Sequence, residues 1–350
     1  FPAERRGTAM GLFAMGIVFA PAMGPTLGGI AIEWFNWRYV FLLTVPISLM
    51  AMVLGMVFLP SRRIPARLPA FDLTGFTLMC AALFSLLLAL SNGTRDGWES
   101  SNVLLLFSFG AVAAVSFVLW ELHTPNPLLN MQLFRYPQFS AAAMIAFFTG
   151  GVFLTSTFLI PVFVQQVQSY TPLRAGLLLM PGGLSLLLLF PLAGRISDSV
   201  PAGFLLSFGL CSFGIGFLLL SGVGVDTPFW TFVAFTLFVR TGLGFTSPVT
   251  NAVALKSLPF ELVSQGSGTI SFVRQLGAAF ILNGVVAYLE YRVRFHGDAL
   301  TATQTAARQS SQSFLDGVRR ILSASGVPDA AQYAGALHYL RQVLQPQAQV

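Results

Sequence analysis

The sequence has 350 residues, of which 55% are aliphatic, aromatic or sulfur-bearing and only 9% are charged. A soluble domain carries about a quarter charged residues, so this composition belongs to a multi-span membrane protein and excludes an ordinary soluble domain. The formal net charge of +6 does not make the chain a nucleic-acid binder, because its arginines stand singly between apolar runs and build no basic patch.

Nine apolar runs are long enough to cross a bilayer as helices: 8–32, 39–59, 73–92, 103–121, 140–164, 175–194, 203–222, 229–253 and 267–288. The expected fold class is therefore an all-α membrane bundle. Polar or proline-bearing connectors separate the runs, among them Ser61-Arg62-Arg63-Ile64-Pro65, Thr94-Arg95-Asp96-Gly97 and Thr124-Pro125-Asn126-Pro127. The chain opens on Phe-Pro-Ala-Glu-Arg-Arg rather than an initiator Met and carries no visible signal peptide. It reads as a piece of a longer protein cut in a loop.

The first run holds the most distinctive string. Gly16, Ala20, Gly24 and Gly28 recur every four residues and so stack into one smooth stripe, against which another helix can approach backbone to backbone. Pro21 and Pro25 within the same run are tolerated in a membrane span when neighbours satisfy the freed carbonyls. An ordinary small-residue packing face would use the same spacing.

Charge sets the expected orientation. Connectors on the side of residue 1 hold Arg5, Arg6, Arg62, Arg63, Arg67, Arg135, Arg195 and Lys256, whereas those on the other side hold Arg38, Arg95 and Arg174. Positive residues favour the cytoplasm, which places residue 1 inside and, after nine crossings, residues 290–350 outside. In that tail Phe314, Leu315, Val318, Ile321 and Leu322 fit one helix face, and Tyr333, Leu337, Leu340 and Leu344 fit another. Gly326-Val-Pro328 separates the two and Asp329 caps the second. The hairpin reads either as an outside docking surface or lid, or as a linker to a further span.

Ionisable residues sort by depth. All thirteen acids lie in connectors, at span ends or in the tail, so no acid sits at mid-membrane to carry a proton. Two bases lie inside spans: Arg240, near the middle of 229–253, and Arg274, a third of the way into 267–288. A buried arginine needs a partner, which for Arg240 is either a set of backbone carbonyls near Gly242 and Gly244 or a group engaged during gating. Arg274 is close enough to the cytoplasmic side to snorkel, and a structural role is expected there.

Phe147, Phe148, Phe153 and Phe158 crowd one span together with Thr149, Thr155 and Thr157, and Gln165, Gln166 and Gln168 follow at its outer end. Such an aromatic wall suits an amphipathic or cationic drug-like solute; Phe147, Phe148, Thr149, Phe153 and Gln165 are the candidate lining residues. With 34 phenylalanines in the chain, most simply face lipid. Nothing points to an enzyme or a metal site. Cys80 and Cys211 lie inside apolar runs, while His123, His296 and His338 lie outside them without a Cys or acid at ligand spacing. No nucleophile elbow, phosphate loop or dinucleotide fingerprint is present.

The string Gly16–Gly29 resembles the GxxxGPxxGG signature of proton-coupled antiporters in the major facilitator superfamily. Other stretches are similar to landmarks of its fourteen-spanner drug/proton antiporter branch, the EmrB/QacA type: Pro2–Gly7, Trp37–Phe41 through Val45-Pro46-Ile47, Leu133-Phe134-Arg135, Pro161–Gln165, Ala175-Gly176 followed by Pro181, and Phe272–Gly277. The turn Gly194-Arg195-Ile-Ser-Asp198 resembles the superfamily's cytoplasmic-loop motif, with Ser199 where an Arg is usual.

The resemblance implies a fragment lacking the first four spans and the last one. Residues 1–60 would end the N-terminal bundle, 61–122 form two extra linking spans, 123–289 form five spans of the C-terminal bundle, and 290–350 form an extracytoplasmic loop. It also implies proton-coupled export of amphipathic solutes across the cell membrane, with the gradient as energy source and no cofactor. The implied partners are the lipid bilayer, a small-molecule substrate and, in a double-membrane bacterium, a periplasmic adaptor protein. The coupling acid would lie in the missing spans. Export or uptake of one specific metabolite by the same fold, or a non-transporting sensor or scaffold, are the alternatives.

Overall fold

One helix, Phe229–Lys256, buries two-thirds of its most apolar stretch, and three other helices pack along it. The computed structural model describes residue 16 and residues 23–58, 71–303, 309–325 and 335. In chain order the helices are α1 (23–34), α2 (Arg38–Leu42), α3 (Thr44–Phe58), α4 (Leu73–Asp96), α5 (Ser101–His123), α6 (Pro137–Gln166), α7 (Pro172–Ile196), α8 (Ala202–Ser221), α9 (Phe229–Lys256), α10 (Val263–Thr303) and α11 (Gln309–Ala324). No strand occurs among the described residues. Eight helical segments among them are long and apolar enough to cross a membrane, and they coincide with the second to ninth predicted runs. The run 8–32 lies mostly outside the described residues, as does the Ser61–Pro65 connector.

Three apolar clusters organise the helices around α9. Leu186, Phe190, Phe213, Val239 and Leu243 join α7, α8 and α9. Ile160, Val164, Leu178, Leu179, Phe232 and Val233 join one end of α9 to α6 and α7. Phe139, Ala142, Ala146, Ala254 and Ile270 join its other end to α6 and α10. Between α8 and α9 the backbones nearly touch: a Cβ added at Gly242 would stand 2.8 Å from the Gly209 carbonyl oxygen. Lipid gives no hydrophobic drive for helix pairing, so such small-residue crossings supply the contact. The outward-facing Leu, Phe, Val and Ile side chains remain exposed, as a lipid-facing surface requires.

Helices α4 and α5 form an antiparallel hairpin. Asp72 caps α4 by accepting from the Gly75 N–H at 2.8 Å, and it also accepts from Trp120 Nε1 at 2.9 and 3.0 Å. The turn between the two helices is reached through Gly97, whose φ of 89° is open to glycine and strained for other residues.

The chain divides into two compact units, Phe1–Asn283 and Gly284–Val350, and α10 runs unbroken across the division. Its 41 residues exceed the predicted run 267–288 by far. Within the second unit α11 matches the first predicted tail helix. Leu315 is buried there, whereas Ile321, expected on the same apolar face, is exposed. The second tail helix, with Tyr333, Leu337, Leu340 and Leu344, and the Gly326–Asp329 break lie outside the described residues.

Candidate functional site

Helix α9 carries Arg240 within a polar stripe. Thr236, Arg240, Ser247 and Asn251 fall within about 60° of one another on a helix of 3.6 residues per turn, and all four are buried. Arg240 is only 2% exposed and is the largest fully buried side chain among the described residues. Its Nη2 donates to Thr157 Oγ1 of α6 at 3.1 Å, and its guanidinium lies 4.8 Å from the centre of the Phe153 ring. Nη1 is buried and bonds to nothing. Gly182 of α7 leaves room for the stem, since a Cβ there would stand 2.8 Å from Arg240 Cγ. Three helices thus fix this one side chain.

The partner of Arg240 is a hydroxyl on another helix. The carbonyls near Gly242 and Gly244, proposed on sequence grounds, are not used. Those two glycines face Phe213 of α8 and Leu189 of α7 instead, because each provides a close helix crossing. Arg274 of α10 does not snorkel outward: its Nη2 donates to Asn251 Oδ1 at 2.5 Å, and its Cγ would stand 2.7 Å from a Cβ at Gly150 of α6. Arg240 thus meets α6 through its guanidinium and Arg274 through its stem and backbone. Every acid among the described residues sits in a connector, in the end turns of a helix, or at Glu290 and beyond, so none shares their depth. An arginine at the bilayer centre costs roughly 2.5–3.5 kcal/mol on insertion scales, and neutral partners offset only part of that.

The candidate lining residues of α6 do not converge on one wall. Phe153 lies beneath Arg240, so one ring face already holds a cation. The Phe147 carbonyl meets Gly277 of α10, while the Phe148 side chain is 50% exposed. Thr149 is buried and gives its hydroxyl to the carbonyls of Ile145 and Ala146. Gln165 is exposed and donates to the Pro161 carbonyl at 3.1 Å. Gln168 closes the end of the bundle, its amide nitrogen lying 2.9–3.1 Å from the carbonyls of Gly224, Val225 and Thr227.

Of the first-run string, Ala20 and Pro21 lie outside the described residues. Gly16, Gly24 and Gly28 have no neighbouring atom within 4 Å of an added Cβ. The close approach is made one position further round α1, by Pro25, Thr26 and Gly29. Thr26 Oγ1 donates to the Gly176 carbonyl at 2.8 Å, and Cβ atoms added at Gly29 and Gly176 would each stand 2.6 Å from a carbonyl oxygen of the facing helix, that of Pro172 and of Pro25. Glu33 extends the contact by accepting from the Leu173 N–H at 3.3 Å. Within the described residues the contact of α1 with α7 falls on the Thr26–Gly29 face and not on Gly24 or Gly28.

At the other end of α7, Gly194 is buried and its carbonyl accepts from Ser197 Oγ at 2.8 Å. The Asp198 N–H bonds the Arg195 carbonyl at 3.1 Å, so the Gly194–Asp198 motif forms the turn that closes this helix. Sequence reasoning missed Thr157 as a cation partner, Gly182 as the seat of the Arg240 stem, and Asn251. The Phe153/Thr157 spacing of four residues and the Gly182–Gly183 pair were the signals available.

Comparison with known proteins gives one consistent answer. The profile of the Major Facilitator Superfamily matches residues 1–282. The chain is 29% identical over 324 residues to the uncharacterized MFS-type transporter YhcA of Bacillus subtilis, covering 92% of this chain and 60% of that protein. It is 27% identical to the lincomycin resistance protein LmrB of Listeria innocua, covering 90% of this chain and 68% of LmrB. It is 30% identical to the multidrug export protein EmrB of Haemophilus influenzae, covering 90% and 62%. The chain thus spans about three-fifths to two-thirds of the length of these relatives.

Proposed function

Because the chain belongs to the Major Facilitator Superfamily, a family of multi-pass membrane transporters, we propose that the protein it represents is a proton-driven exporter of amphipathic, drug-like solutes. Within the superfamily we place it in the fourteen-spanner drug/proton antiporter branch, on the motifs quoted above and on relatives named for multidrug export and drug resistance. On this reading the protein transports and makes or breaks no covalent bond. It uses the proton gradient and no cofactor, its coupling acid lies in the early spans of the family, and its membrane is the cell membrane with residue 1 cytoplasmic and residues 290–350 outside. A periplasmic adaptor is the expected partner where a second membrane must be crossed.

The observation that carries the reading is the seam between α1 and α7. Its backbones approach so closely at Gly29 and Gly176 that α1 and α7 must separate, or slide, for a path to open between them. Alternating access needs such a contact, tight in one state and released in another.

Efflux by the full-length protein tests this, using a panel of cationic, neutral and anionic fluorescent amphiphiles with and without a proton gradient. At least one should leave against its concentration gradient only when the proton gradient is present; export of none would end the transport reading. In the same assay Gly29→Leu should insert but exchange poorly, while Gly24→Leu should be mild. Overpacking costs about 1–3 kcal/mol, and about 2.8 kcal/mol borne by one state alone shifts the ratio of states about a hundredfold. Equal efflux by the two variants would remove the seam from the mechanism. For orientation, a cysteine at Ser325 should react with an impermeant thiol reagent in intact cells, and one at Ser61 only after the membrane is opened; the reverse pattern would invert the topology.

A further inference from the structure

We propose that Arg240 is an anion receptor at mid-membrane, built to take the carboxylate of an amphipathic organic acid. The existence of an anion site rests on the geometry alone; that its anion is a carried solute rests on the transport reading above.

A guanidinium does not give up its proton in proteins, so Arg240 is a permanent positive charge wherever it is buried. Its two neighbours, the Thr157 hydroxyl and the Phe153 ring, orient that charge without neutralising it. The Thr157 hydroxyl has its own proton directed to the Phe153 carbonyl at 2.8 Å, so it is held in place as an acceptor. Arg274, half-buried on α10, also bonds a neutral amide, and no carboxylate lies at the depth of either arginine among the described residues.

The unbonded atom is the informative one. Buried polar groups in proteins are bonded with few exceptions, and an N–H left over on a buried guanidinium marks a missing acceptor. If Arg240 served only to staple α6 to α9, well-packed apolar side chains would do this at least as well, without a desolvated charge. Nη1 together with Nη2 presents the planar fork that matches a carboxylate through two parallel bonds, with Thr157 releasing Nη2 as the anion arrives. Gly182 keeps the stem of the side chain in a fixed slot, so the fork is pre-organised and little freedom is lost on binding.

The same geometry disfavours a cationic solute here. The Phe153 face that would attract a cation is already covered by Arg240, and an incoming ammonium would meet a like charge. In the state described the fork is closed off from solvent, so the acid reaches it in another state of the transport cycle.

The test is binding to the purified full-length protein of dansyl-leucine, an amphipathic carboxylate, against its neutral methyl ester. The acid should bind at least about tenfold more tightly than the ester, the scale of one charge-assisted hydrogen bond. Arg240→Gln should bring the acid down to the ester's affinity and leave the ester unchanged. Arg240→Lys, which keeps the charge and loses the fork, should weaken the acid severalfold with the ester again unchanged, and it decides the matter if the Gln variant does not fold. Equal binding of acid and ester by the wild type, no saturable binding of either, or equal loss of both in the folded variants would overturn the proposal. A protein that pumps the fluorescent panel yet fails this comparison keeps its transport reading and loses only the anion site.

Discussion

Among the described residues ionisable side chains are buried in two places, and the two are built on opposite plans. In the α6–α9–α10 seam the buried group is a cation, Arg240, far from either end of α9, with the half-buried Arg274 on α10. In the α4–α5 hairpin the buried group is an acid: Glu121, 3% exposed, in the last turn of α5. Antiparallel pairing lays that last turn beside the first turn of α4. There Glu121 Oε1 would stand 2.8 Å from a Cβ added at Gly75, next to the capping carboxylate of Asp72, and Glu121 Oε2 accepts from the Leu129 N–H at 3.2 Å. The hairpin acid therefore has a helix N-terminus and, at Oε2, a backbone donor that offset part of its burial, while Oε1 has no partner. The seam arginines have neither, because main-chain groups in mid-helix are already bonded to each other. An acid at a span end is part of the architecture; a cation at mid-span with an unmet donor asks for something that is not architecture.

The largest expected effect comes from making the same small change in both regions. At Gly277 an added Cβ would run into the carbonyl of Phe147, which is backbone and cannot turn aside. At Gly110 the nearest atom is the Leu86 side chain, 2.7 Å away, which can change rotamer. Gly277→Ala should lose about 3 kcal/mol or more, the upper range for overpacking, and Gly110→Ala about 1 kcal/mol or less. Thermal unfolding of the two purified variants measures this. Equal midpoints would mean that the seam is as compliant as the hairpin, and the contrast between a rigid site and an adaptable scaffold would fail.

The sequence revealed the spans and hid the partners. Each run from 39–59 onward became a helix, because lipid leaves a continuous apolar segment no other way to bond its backbone. The length of α10 was hidden for the converse reason. The apolar run ends near Tyr288 where the chain meets water, yet Glu290-Tyr-Arg-Val-Arg294 continues the helix, since helicity does not need apolar residues once lipid is left behind. Hydropathy reports the solvent around a segment, not its conformation. Arg240 stood out as an intramembrane charge from its position alone, whereas Thr157 and Gly182, which hold it, lie 83 and 58 positions away and have no local signature. The first-run string was recognised, but the four-residue spacing pointed to Gly24 and Gly28. The contact falls on Gly29, whose partner on α7 is invisible to any pattern read within one helix.

The smallest expected effect tests whether the Glu121 carboxylate is needed as a charge at all. Glu121 Oε1 is buried without a partner, and the nearest charged group is the Asp72 carboxylate, which already accepts from Gly75 and Trp120. Two carboxylates crowded over one glycine repel each other unless a proton or a cation sits between them. Replacing Glu121 with Gln keeps the shape, keeps an oxygen for the Leu129 N–H, and supplies an amide N–H that can donate to Asp72. Replacing it with Ala leaves the Leu129 N–H with no acceptor and opens a gap beside Gly75, a loss of about 1–3 kcal/mol for the unsatisfied buried donor. The hypothesis is that Glu121→Gln unfolds within about 1 kcal/mol of the wild type, on the stabilising side, because removing a like charge offsets what the weaker acceptor gives up. Asp72→Asn in the same background locates the repulsion. If the two carboxylates repel, either single change relieves it and the second adds nothing further, so the double-mutant cycle shows an interaction of opposite sign to that of a favourable pair. Should Glu121→Gln fall as far as Glu121→Ala, the acid is ionised and held by a positive partner. The hairpin would then be a paired site like any other, and the seam around Arg240 would stand alone as the place where a buried charge lacks its counterpart.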